Sequence, residues 1–131
     1  MNTKILMTTC AITLVGVGII LNFLPEEVLN VYGLTTTKSL QVLIQIVGAL
    51  YFAFGMLNWM TKDSLIGGIY NRPVVVANLS HFVIGSLGLI KGLMSNPNQP
   101  YVVWIAATIY LIFALSFGII LFQHPSNEET Q

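Results

Sequence analysis

The sequence predicts an all-α integral membrane protein, a bundle of four transmembrane helices with a short interfacial helix after the first span. Three observations predict it. Four nearly uncharged runs are each long enough to cross a hydrocarbon core of about 30 Å, which takes about 20 helical residues. Only 8% of residues are charged against 55% hydrophobic, and mean hydropathy is +0.80; soluble domains carry roughly a quarter charged residues. Lipid cannot satisfy an open sheet edge, and four short strands could not close a barrel, so helices remain as the spanning structure.

The spans are expected at about 4–24, 38–60, 73–92 and 101–122, in one transmembrane domain over 1–123 followed by a polar tail, 124–131. The first run follows Lys4 and ends at Asn22-Phe23-Leu24-Pro25. With no small-x-small cleavage site after it, it reads as a retained helix. Cys10 lies too near the start of the run for a lipoprotein box, and as the lone cysteine it supports neither a disulfide nor a CxxC redox pair. Pro25, Glu26 and Glu27 make a good helix start, since acids complement the N-terminal dipole. Val28, Leu29, Val31 and Tyr32 then predict the interfacial helix, ended by Gly33.

Thr35, Thr36 and Thr37 stand where a cap for the second span is needed. The loop from Thr61 to Arg72 holds Gly67-Gly68, and Pro73 falls in the first turn of the third span. Ser95 to Pro100 is a turn, and the tail from His124 reads as disordered. Lys4, Lys62 and Arg72 fall on one side and Lys38 and Lys91 on the other, which predicts cytoplasmic termini under the positive-inside rule. Trp59 and Tyr70 mark one interface; Tyr32, Tyr101 and Trp104 mark the other.

Two helix faces stand out. On the third span Asn78, His81, Gly85, Gly88 and Gly92 recur at spacings of three and four, so they share one face. Gly88 and Gly92 form a GxxxG pair of the kind that lets helices approach closely. His81 is the one ionisable residue deep in an apolar run, and such groups are costly and often functional. The bland alternative is a packing seam in which a neutral imidazole makes an interhelical hydrogen bond, and the two weigh about equally. On the second span Gln41, Gln45, Gly48, Phe52, Gly55 and Trp59 form a matching stripe, with Tyr51 and Asn58 beside it. Small-residue stripes are ordinary in membrane bundles, so packing against the third span is favoured over ligand contact.

By helical rise, His81, Tyr51, Gly48, Tyr110 and Thr13 fall near mid-membrane, with Cys10 and Gln45 within about a turn. Such a layer builds either a ligand site or an internally satisfied network. His81, Asn78, Gln45, Tyr51 and Tyr110 are therefore the candidate ligand-binding residues; Gly48, Gly55, Gly85, Gly88 and Gly92 are the candidate packing residues. Arg72 and Lys62 are candidates for lipid headgroups, although a glycine turn with snorkelling cations explains that loop more simply.

Much chemistry is excluded. No Asp or Glu lies in any span, so His81 has no acid partner for a triad or a metal second shell. Two histidines, one of them in the tail, do not make a metal site. Proton-coupled transport on an embedded carboxylate is not expected, and no P-loop or basic nucleic-acid patch is present.

Leu43 to Trp59, with its GALYFAFGxxNW pattern, the following GGIYNRP and the histidine of the third span resemble the DoxX-like proteins and related families of unknown function, small bacterial four-helix membrane proteins. The resemblance extends over nearly the whole chain in layout, with Gln45 to Pro73 as its specific part. It implies an inner-membrane bundle and brings no catalytic residues to carry over.

Three function classes follow, in order of preference. The first is a protein without a recognisable catalytic motif or cofactor that binds a lipid-like or other hydrophobic ligand, or a partner protein, through a cleft at the second and third spans. The second is a membrane enzyme or quinone-linked accessory using His81, assisted by Tyr51 or Tyr110. The third is a homo-oligomeric scaffold that meets another copy through a glycine face. Catalysis ranks below binding because it needs more convergent polar chemistry than these spans hold.

Overall fold

The computed structural model describes residues 3–63 and 72–122. The Gly67-Gly68 turn, Tyr70, Asn71 and the tail from His124 lie outside the described residues. Among the described residues five helices run in order: α1 (Thr3–Phe23), α2 (Pro25–Val31), α3 (Lys38–Thr61), α4 (Arg72–Ser95) and α5 (Tyr101–Phe122). All but α2 are long and apolar enough to cross a membrane. The chain is an all-α, multi-pass membrane protein, and it divides into two compact units, Met1–Lys62 and Asp63–Gln131.

In the first unit α1 and α3 form an antiparallel hairpin, with α2 at the end where α1 gives way to α3. Local chemistry sets the connection. Pro25 occupies the first turn of α2, followed by Glu26 and Glu27, where the orphan amides and the dipole favour them. The helix closes in a Schellman pattern: Gly33 N donates to Asn30 O and Leu34 N to Leu29 O, both at 3.0 Å. That turn places Gly33 at φ +66°, the left-handed region a glycine enters without penalty. Thr37 then caps α3, its hydroxyl accepting from Leu40 N at 3.3 Å.

The hairpin itself rests on backbone approach. A Cβ at Gly18 would lie 2.7 Å from Phe52 N and 2.8 Å from Gly48 O, and one at Gly55 would lie 2.8 Å from Val15 N. No side chain fits there. With lipid as solvent no hydrophobic force drives helices together, so dispersion between close backbones carries the pairing. The stripe on α3 expected to face the third span thus meets α1 through Gly48 and Gly55. Polar links reinforce one end: Gln45 Nε2 donates to Asn22 O at 3.2 Å and Gln41 Nε2 to Glu26 Oε1 at 2.7 Å, while Asn22 Nδ2 bonds within α1 to Gly18 O at 2.9 Å.

The second unit is another antiparallel hairpin, α4 on α5. Near the turn, Leu93, Val103 and Ala107 pack together with Leu89 against them. The turn is held by Asn98 N donating to Asn96 Oδ1 at 3.1 Å. Pro73 sits in the first turn of α4, and α4 continues to Ser95, three residues past the expected end of the span. Gly92 therefore lies inside the helix. Toward the far end Phe82, Phe113 and Phe117 are buried; Phe82 stacks on Phe113 at 4.8 Å and on Phe117 at 5.9 Å between ring centroids.

Glycines in these hairpins are expected to respond very differently to one added methyl. Gly18→Ala drives a Cβ into rigid backbone and should destabilise by about 1–3 kcal/mol, the usual range for overpacking. Gly16→Ala meets open space and should be neutral or stabilising by helix propensity. Unfolding titrations in mixed micelles check the contrast.

Candidate functional site

The candidate site lies on the α4–α5 hairpin. Its position follows from spacing: Asn78, His81, Phe82 and Gly85 come round on one face of α4, and Tyr110, Phe113 and Phe117 recur at three and four on α5. Tyr110 Oη and His81 Nε2 share a hydrogen bond of 3.2 Å; which atom donates follows the imidazole tautomer. The two rings lie 5.4 Å apart, tilted by 45°. Both residues sit well inside their helices, away from either end.

Gly85 is what makes the pair possible. A Cβ at Gly85 would run into Cε1 and Cδ1 of Tyr110, so the phenol ring lies directly over the α4 backbone with its hydroxyl carried to His81, one turn back. Phe82 holds the arrangement from the buried side. It meets Tyr110 edge-on at 5.2 Å and 77° and His81 at 5.0 Å and 76°. The Phe82–Tyr110 contact, between two helices, is worth about 0.5–1.5 kcal/mol beyond area burial. The result is a polar pair on a rigid aromatic footing. Phe82 is completely buried, whereas His81 and Tyr110 are only half-buried.

The other sequence candidates go elsewhere. Asn78 is fully buried and its Nδ2 donates to Val74 O in its own helix at 2.9 Å. Ser86, not one of those candidates, is also buried, with its hydroxyl donating to Val83 O at 2.9 Å. Gln45 and Tyr51 belong to the first unit, where Gln45 is exposed and Tyr51 half-buried. Thr13 donates to Thr9 O at 2.9 Å within α1. Among the described residues every buried side-chain nitrogen and oxygen has a hydrogen-bond partner.

The packing glycines split. Gly48, Gly55 and Gly85 stand at close approaches, while a Cβ at Gly88 or Gly92 would meet nothing within 4 Å. The GxxxG pair is therefore not a contact seam between the described residues; both glycines are exposed, although Gly85 on the same face meets Tyr110. Of the headgroup candidates, Arg72 opens α4 and is exposed. Lys62 follows the end of α3, its Nζ 3.1 Å from the centroid of the Trp59 ring.

Residues that sequence reasoning passed over matter here. Phe82 is the centre of the aromatic cluster, and the Tyr110–Phe113–Phe117 spacing was the signal that could have found its partners. Glu26 was legible as an acid at a helix start but not as the acceptor of Gln41, and nothing marked Asn22 O as the acceptor of Gln45. Among the described residues no group of three His, Cys, Asp or Glu side chains converges as a metal would need. The chemistry available at His81–Tyr110 is hydrogen bonding to one polar group in apolar surroundings. Comparison with protein-family models, curated proteins and solved structures returns no match for the chain.

Two variants separate the bond from the ledge beneath it. Tyr110→Phe removes only the hydroxyl and should cost about 0.6 kcal/mol, the average for hydrogen bonds between membrane helices, and at most about 1.7 kcal/mol. Gly85→Val displaces the ring as well and should cost more, about 1–3 kcal/mol of overpacking added to the lost bond. The same unfolding titration ranks them, and equal losses would mean that the hydroxyl bond is not held by the Gly85 contact.

Proposed function

We propose that this is a non-catalytic multi-pass protein of the bacterial inner membrane that binds a lipid-like or other hydrophobic ligand, docking the ligand's polar group at His81 and Tyr110. One observation carries the reading: the 3.2 Å bond between Tyr110 Oη and His81 Nε2 joins two half-buried side chains in the interior of apolar helices. Polar groups at that depth are costly to keep. Asn78 and Ser86, which bond to carbonyls of their own helix, are sealed at 0% and 4% exposure. His81 and Tyr110 stay reachable. Phe82, locked beneath them, fixes their geometry before any ligand arrives, and preorganisation of that kind lowers the cost of binding. The bacterial inner membrane comes from the resemblance to DoxX-like proteins.

Extraction from lipid nanodiscs followed by mass spectrometry should find one hydrophobic species enriched over bulk lipid. Its occupancy should fall about tenfold in His81→Phe, the factor equivalent to ~1.4 kcal/mol, and by a smaller factor in Tyr110→Phe. Both variants keep a ring over the Phe82 footing. Bulk lipid alone in the wild type, or full occupancy in both variants, removes the proposal. We place both termini in the cytoplasm, since Lys4, Lys62 and Arg72 outweigh Lys38 and Lys91. A compartment-sensitive reporter fused after Gln131 should be active only in its cytoplasmic form.

A further inference from the structure

The first unit carries an open groove of about 410 Å³ between α1 and α3, lined by Ala11, Ile12, Val15, Gly16, Met56 and Trp59. Apart from the indole N–H, its walls are apolar. Gly16 keeps it open, since a Cβ there meets nothing within 4 Å. Ala11 forms the floor at 1% exposure, whereas Ile12 is 62% and Trp59 45% exposed. The groove is also directional. Trp59 belongs to the last turn of α3, while Gly16 lies past the middle of α1. It therefore runs from a membrane interface toward the interior. At the interfacial end the Lys62 ammonium sits 3.1 Å above the Trp59 ring, held there by cation–π attraction.

We propose that this groove binds one anionic phospholipid, with an acyl chain laid from Trp59 to Gly16 and the headgroup phosphate against Lys62. Charge complementarity selects the occupant. One end of the groove has the Lys62 ammonium over its Trp59 wall at the interface, with Asp63 next in the chain; the rest is apolar and membrane-deep, and a phospholipid has the same two parts in the same order. A zwitterionic lipid brings its own ammonium beside Lys62 and gains less. Phosphate contact with a lysine held over an interfacial tryptophan needs no rearrangement of either helix. The site is separate from His81 and Tyr110 in the second unit, so either assignment stands if the other fails.

The test uses the full chain in a defined mixture of phosphatidylglycerol and phosphatidylcholine, with retained lipid counted by native mass spectrometry. The wild type should retain phosphatidylglycerol preferentially. Lys62→Gln should cut that preference about fivefold, the factor expected for one lysine near an anionic surface, with phosphatidylcholine retention unchanged. Gly16→Leu should lower retention of both lipids by filling the groove. Leucine is the better helix former and its Cβ meets open space, so thermal unfolding should match the wild type. Equal retention of the two lipids by the wild type, or an unaltered preference in Lys62→Gln, overturns the proposal. So does undiminished binding in a folded Gly16→Leu. Should Gly16→Leu not fold, the interfacial Lys62→Gln decides alone.

Discussion

The structure depends on one constraint: an apolar solvent accepts no unpaired backbone and supplies no hydrophobic force between helices. The first half of that constraint dictates helices of membrane-spanning length. The second half decides how they pair. In the first unit the pairing rests on Gly18, Gly48 and Gly55, where the facing backbone comes so near that even a methyl group is excluded. Dispersion falls away steeply with distance, so these few positions set the geometry that the polar links from Gln45 and Gln41 then reinforce.

The second unit solves the same problem with aromatics. Phe82, Phe113 and Phe117 fill the space between α4 and α5, and at Gly85 the Tyr110 ring comes down onto the α4 backbone. That local thinning of α4 carries a consequence for chemistry. It lets Tyr110 lie flat enough for its hydroxyl to reach His81, and the pair stays at the edge of the hairpin instead of inside it. A packing device and a candidate binding device are thus the same contact. The fully buried Asn78 and Asn58 each donate to a carbonyl of their own helix, Val74 O and Phe54 O.

Much of this was legible in the sequence, and the legible part has a common cause. The spans, the α2 start at Pro25, its end at Gly33, the Thr37 cap and the turn before α5 all depend on residues within a few positions of one another. His81 and Tyr110 stood out singly, by polarity and depth. Their bond did not, because nothing local links residues on two helices. Gly88 and Gly92 illustrate the same limit from the other side: their spacing describes a face that could pack, while contact requires that a helix be there, and α5 meets α4 through Gly85 instead.

By itself the sequence determined that the chain is all-helical, membrane-spanning and poor in catalytic groups, because solvent preference and helix termini are written in composition and short spacings. Only the tertiary structure decided that the α3 glycines serve α1, that Gly85 seats the Tyr110 ring, and that Lys62 stands over Trp59 at the mouth of a groove. A stripe of small residues specifies a surface without specifying its partner. The partner is chosen by competition among all the faces at once, and that competition is settled by how closely each pair of faces can approach, where differences of a few tenths of an ångström matter.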